Sequence, residues 1–363
     1  MLIILYTQLK ETKALDIDLL VNTVQQNCHI SDARHAGNYT MCIFLLKMRE
    51  YYRWEQGLPY SSPLSQQDVG DWLLQREQSW ESLEDNIYQP IPLSSLEVDP
   101  FDTDAINQEL IPQGYIYSSG YGTYSKPHFF LGNLQQQETR DGITIFHVTS
   151  EYARDMDAPP AMLCDKQIFI RMESVRRFIW ERIEEWRWKE NYDTPIGRVL
   201  KAIDIGNDDE AMLDQLMAPV TEIMIRHELG EVQAGTVLGP DWETMLSSIH
   251  DRKVELMLRA ARDNLADCMK TLPFLISESQ AIAMHFYFSN FHGLRKSLFP
   301  QLLQQYQEWC RYGNDTSFMS FTNKAQQHWQ RLCLQILDVY QEKNDKAVTE
   351  IDNLLTSHAG TTL

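Results

Sequence analysis

A mainly α-helical chain in two parts, with a small antiparallel β-meander inserted around residues 114–148, is what this sequence predicts. Three observations carry that prediction. Apolar residues recur at helical spacing over most of the chain. The stretch 114–148 drops that period and fills with aromatic and β-branched residues. Proline-rich breaks at 89–100 and at Pro159-Pro160 separate the regions. An N-terminal helical part ending in the meander thus spans 1–165, and a C-terminal helical bundle spans 166–363.

In order along the chain, residues 14–28 place Leu15, Leu19, Leu20 and Val24 near one helical face. After Gly37 and Asn38, residues 39–54 read as a strongly apolar helix that stops before Gly57 and Pro59. Residues 65–87 carry Val69, Trp72, Leu73, Trp80 and Leu83 and are also helical. Residues 89–100 hold three prolines and read as a linker or an extended crossing. Within the meander, 115–118, 129–137 and 143–148 are three strands, the last two joined by Asp141-Gly142, a strong hairpin signal. Helices then return. Residues 166–189 form a long one bearing Ile168, Val175, Phe178, Ile179, Ile183 and Trp186. Asp208 or Asn207 caps another that runs to about Ala234. Pro240-Asp241 opens a third that continues to about Lys270, and Ser277-Glu278 a shorter one ending near Gly293. Residues 294–311 and 318–342 complete the bundle, and the tail TSHAGTTL is frayed.

Composition bounds the function. Of 363 residues, 43% are apolar and 23% charged, which excludes wholesale disorder. Fifty-one acidic against 32 basic side chains give a formal charge of −19, spread over both halves of the chain. Such a surface repels phosphate backbones and anionic lipid, so nucleic acid and membrane are excluded as partners. The opening MLIILYTQLKETK is too short in apolar residues for a signal-peptide core, and no run approaches the roughly 18–20 apolar residues of a membrane span. The six cysteines are scattered without a CxxC pair, as in a reducing cytoplasm.

Two blocks, residues 28–57 (CHISDARHAGNYTMCIFLLKMREYYRWEQG) and 226–239 (RHELGEVQAGTVLG), resemble stretches of a family of uncharacterised proteobacterial proteins. The resemblance implies a bacterial cytosolic context and a two-part chain, and brings no activity, cofactor or partner with it.

Chemistry-bearing side chains gather in the second half. On the helix after Asp208, the stripe Leu213, Leu216, Val220, Ile223 and His227 faces inward, with Glu231 one turn beyond on the same face. A histidine and a carboxylate at i,i+4 can aim two ligand atoms at one ion. The zinc-protease pattern HExxH needs a second histidine where Glu231 stands, so it does not apply. A carboxylate followed seven residues later by histidine occurs as Glu243 with His250 and as Glu278 with His285, and His292 continues the second stripe. Seven residues rise about 10.5 Å along a helix, so each pair must bend inward to share an ion. His227, Glu231, His250, Glu278 and His285 are the candidate metal ligands, for iron or zinc. This Glu/His lining resembles in general style the heme-oxygenase-like di-iron proteins, whose later HxxxDxxH helix has no counterpart here after His285. The alternative for each histidine is a core residue satisfied by a carbonyl or a carboxylate.

Three other features compete. Cys28, Asp32 and His35 sit at i, i+4 and i+7 and could form a ligand set or a Cys–His nucleophile pair, unless Ser31-Asp32 is a helix cap and Ala36-Gly37-Asn38 a break that destroys the shared face. Gly120 to Lys126 has the look of a phosphate loop, but Pro127 and a strand follow where a helix N-terminus is required, so a tyrosine-rich hairpin turn or lid is expected. Residues 171–189 mix basic and acidic residues with three tryptophans, and pack by their Trp and Ile side with ion pairs outside. Two function classes follow. The first is a cytosolic interaction or regulatory protein whose partner is another protein or a second copy of itself. The second is a metal-dependent enzyme with its site in the C-terminal bundle.

Overall fold

The computed structural model describes residues 14–122, 125–188, 190–203, 208–278, 280–342 and 347–358. The opening segment 1–13, the alternative cap Asn207 and the end of the tail, 359–363, lie outside the described residues. The fold is mainly helical, as expected, and no helix among the described residues is long and apolar enough to cross a membrane. The chain divides into two compact units, 1–137 with 146–160 and 171–174, and 138–145 with 161–170 and 175–363.

In the first unit, Asp16 accepts from the Leu19 amide at 3.0 Å and starts α1 (Ile17–His35). The helices α2 (Met41–Glu55) and α3 (Gln66–Glu81) follow, α3 capped by Ser65. The proline-rich stretch folds into a small antiparallel pair, β1 (Ile91–Pro92) with β2 (Glu97–Val98), ahead of α4 (Thr103–Leu110). β3 (Tyr115–Tyr121) pairs antiparallel with the start of β4 (Pro127–Arg140), from Tyr115↔Asn133 to Tyr121↔Pro127. The core sits where α1 lays Leu20, Val24 and Cys28, one per turn, against Ile91, Ile106, Leu110, Tyr117, Phe129 and Leu131. Each fully buried side chain of this size contributes about 1.5–3 kcal/mol. Two buried asparagines close the remaining backbone gaps: Asn27 donates to the Gln89 carbonyl and accepts from its amide (2.8 and 2.7 Å), and Asn107 does the same for Tyr117 (2.8 and 2.9 Å). A second cluster joins Phe44, Met48 and Tyr51 of α2 to Trp80 and Met156.

The β region is larger than expected and connected differently. Besides β3, β4 and β5 (Ile143–Arg154) it holds β6 (Ala161–Cys164) and β7 (Gln167–Arg171), in the order β3-β4-β5-β7-β6. It is therefore not a three-strand meander ending at 148. Asp141 and Gly142 take positive φ (53° and 77°), the conformation of the expected hairpin turn. Residues 167–171, QIFIR, were expected in a helix. Their apolar side chains are buried in a strand instead, paired with β6 through a turn in which Asp165 is left-handed (φ 53°).

The second unit is a helical bundle. It contains α5 (Met172–Arg187) from Val175 on, α6 (Pro195–Ile203), α7 (Asp209–Leu238), α8 (Pro240–Ser248) and α9 (Arg252–Ala266). A π turn, Asp267–Thr271, joins α9 to α10 (Leu272–Ser277). Then come α11 (Ala281–Ser289), α12 (Gly293–Leu298), α13 (Pro300–Tyr312), α14 (Asp315–Gln341) and α15 (Ala347–His358). Asp208 caps α7 by accepting from Ala211 at 3.0 Å, and Leu213, Leu216, Val220 and Ile223 are buried along it as predicted. The long helix expected from 240 to 270 breaks at 249–251, where Ile249 is extended and Asp251 accepts from Val254 to start α9 afresh.

Candidate metal centre

The site begins with a glycine. A β-carbon on Gly230 would stand 2.4 Å from the Ala266 carbonyl oxygen, so α7 and α9 touch backbone to backbone at this point. Glycine is required there because any side chain would push the helices apart. That contact sets two i,i+4 pairs against each other, His227 and Glu231 on α7, and Asp263 and Asp267 on α9 and the π turn. One ligand atom each from His227, Glu231 and Asp263 lie within 4.8 Å of one another. Among the described residues no other trio of His, Cys, Asp or Glu side chains does so.

Asp267 organises the cluster. It is 1% exposed, and its Oδ1 lies 2.8 Å from His227 Nδ1. A carboxylate only accepts, so Nδ1 carries a proton. Burial opposes a second one, but the Glu231 hydrogen bond and charge raise the His227 pKa, and the proton this places on Nε2 is the one a bound ion would displace. The same carboxylate accepts from Thr271 Oγ1 (2.9 Å), Tyr287 Oη (2.7 Å) and Arg295. His227 Nε2 faces Glu231 Oε1 at 3.5 Å. Arg262 donates to Glu231 Oε2 at 3.1 Å and to Glu243 at 3.0 Å. Burial opposes the charge of each acid, but the His227 hydrogen bond and Arg262 hold Glu231 down to about 2. Burial and the Glu231 charge push Glu228 up to about 7. Glu231, Asp263 and Asp267 face two guanidinium groups and His227, and burial with the Glu231 charge raises the Asp263 pKa, so either a protonated His227 or a bound cation balances the cluster.

An ion bound at about 2.0–2.2 Å needs its ligand atoms no more than about 4.4 Å apart. The His227–Glu231 separation already meets this, and Asp263 needs only a small side-chain adjustment. One nitrogen and two carboxylates suit a divalent iron, manganese or zinc ion. Three protein ligands also leave positions for solvent or substrate.

The structure brings together only two of the five ligands expected from sequence. His250 is exposed in the break before α9, and Glu278 is exposed just past α10, so neither seven-residue pair lies on one continuous helix. His285 is on α11, where its Nδ1 meets Tyr306 Oη at 2.8 Å and its ring packs against Trp309. His292 is exposed ahead of α12. Sequence reasoning missed Asp263 and Asp267, although their i,i+4 spacing on an expected helix was a usable signal. Cys28, Asp32 and His35 do share one unbroken helix, because α1 runs through Ser31-Asp32 to His35, yet they form no ligand set: Cys28 Sγ donates to the Phe129 carbonyl and Asp32 pairs with Lys126.

Two family models match the chain: the N-terminal domain of a family of unknown function, DUF6866, over residues 19–171, and the C-terminal domain of the same family over 176–358. No curated protein and no solved structure matches it.

Proposed function

The chain belongs to the DUF6866 family of unknown function along nearly its whole length, and on that premise we propose that it is a metal-dependent protein whose C-terminal bundle holds one divalent ion, iron or zinc, on His227, Glu231 and Asp263. The observation that carries this reading is the hydrogen bond from His227 Nδ1 to buried Asp267, which fixes the imidazole with Nε2 turned toward a carboxylate one helical turn away. The π turn at Asp267 adds to it, since such turns recur where helices carry functional groups. An ion with open positions supplies Lewis acidity or an activated water. The chain's own groups position it, Asp267 by orienting the histidine and Arg262 by holding the second oxygen of Glu231. The two-part division, 1–165 and 166–363, belongs to the same proposal and is supported by family domains that meet between residues 171 and 176.

The test is elemental analysis of the full chain purified without an affinity tag. About one equivalent of metal is expected, lost in His227→Ala and in Asp263→Asn and kept in His285→Ala. Folded, metal-free protein that takes up neither iron, manganese nor zinc sinks the reading. A second reading, a non-catalytic cytosolic interaction or regulatory protein, is favoured by Arg262 and Arg295, which already bind Glu231 and Asp267. On that reading the cluster is a charge network locking α7, α9 and α12 together, and the two variants lose stability with no metal to lose.

A further inference from the structure

The first unit carries a second group of polar side chains, independent of the metal proposal. Lys126 follows the turn between β3 and β4 and is 2% exposed. Its ammonium contacts Asp32 Oδ1 at 2.6 Å and Asp157 Oδ2 at 2.7 Å. Asp157 is held in turn by Lys47 at 2.8 Å and by the Tyr39 hydroxyl at 2.7 Å. A cavity of about 260 Å³ opens beside this network, lined by Lys47, Gly122, Lys126, His128, Asp157 and Pro159.

Two polar groups at that wall are not fully paired. An ammonium has three N–H groups, and Lys126 has two acceptors. His128 is 7% exposed, and its buried Nδ1 has no hydrogen-bond partner among the described residues. Leaving such an atom unsatisfied is unfavourable, and a small side-chain shift toward a bound polar molecule would relieve it. Burial lowers the His128 pKa and favours the neutral ring, which offers one N–H and one lone pair. Lys47 adds a further ammonium at the wall, 25% exposed. Three carboxylates lie near the two ammonium groups, and each is already engaged: Asp157 by both lysines, Asp32 by Lys126 and the Met156 amide, and Asp155 by the Asp157 and Ala158 amides.

We infer that this cavity binds a small oxyanion-bearing metabolite, a carboxylate or a phosphate, on Lys47, Lys126 and His128. A metal ion does not fit a wall with two lysines. A nucleotide does not fit either: the volume is below the roughly 300–1,000 Å³ of ordinary ligand pockets, and the Gly122 amide is spent on the Lys126 carbonyl at 2.8 Å rather than aimed at a phosphate. The glycine-bearing turn therefore works through the Lys126 side chain and not through backbone amides.

The experiment is calorimetric titration of the full chain with inorganic phosphate and, separately, with succinate, at constant ionic strength against a chloride control. Saturable binding of at least one is expected, weakened at least tenfold in Lys47→Gln and in His128→Gln. Binding of phosphate alone assigns a phosphorylated ligand, and of succinate alone a carboxylate. Should buried His128→Gln fail to fold, the partly exposed Lys47→Gln decides alone. Absence of saturable binding for both anions, or unchanged affinity in the folded variants, overturns the inference.

Discussion

His29 shows how one side chain sets a pH response. Arg76 Nη1 donates to its Nε2 at 2.6 Å, so that nitrogen must accept and the ring must be neutral. Burial, then the Arg76 charge, lowers its pKa to about 3, against about 6.5 in an unfolded chain. Between those values only the unfolded chain takes the proton. Stability from this group is therefore complete above about pH 6.5 and falls as pH drops, by up to about 1.4 kcal/mol per unit. Urea unfolding of the first unit at pH 7 and pH 5 should show a loss about 2 kcal/mol greater in the native chain than in His29→Gln; equal losses would falsify the assignment. At this scale the sequence was partly legible. It singled out Asp32 and Lys126 in separate motifs, but 94 residues of chain part them, and no local spacing shows that a helix residue and a hairpin residue share one buried ion pair.

Among elements, the crossing of α7 and α9 is open to disruption by a single change. Gly230→Ala puts a methyl group into the Ala266 carbonyl, and backbone cannot step aside as a side-chain tip can. The expected cost is roughly 1–3 kcal/mol of unfolding free energy, together with loss of metal, because the variant parts His227 from Asp263. Full stability and full metal content in that variant would show that the helices do not meet there. Helix starts were the most legible feature: Asp208, Ser65 and the pause at Gly37 each act within one turn. Strand β7 was not, since QIFIR is apolar enough for a buried helix and becomes a strand because β6, across a tight turn, and β5 offer their backbones on either side of it. The break at 249–251 hid for a similar reason. Asp251 is a good cap, but nothing local says that the preceding turn must end.

For the whole molecule, the two units should respond differently to metal removal. An ion that binds only the folded second unit stabilises it by about 2.7 kcal/mol when free metal is one hundred times the dissociation constant. Scanning calorimetry with and without a chelator should lower the transition of that unit and leave the other in place; a chelator that shifts neither, or both equally, contradicts a site confined to α7 and α9. How much of that site was readable follows the same logic. His227 and Glu231 belong to one helix and one stripe, so periodicity found them. Their acidic counterparts depend on which rod lies opposite, and Gly230 decides that without announcing it in any motif.

The π turn carries a last consequence. The Leu272 amide reaches back five residues to the Asp267 carbonyl, so the rod contains one residue more than ordinary winding would use. Deleting a single residue there would restore regular coiling and swing everything downstream by about 100°, carrying the Thr271 hydroxyl off the carboxylate that steadies the imidazole.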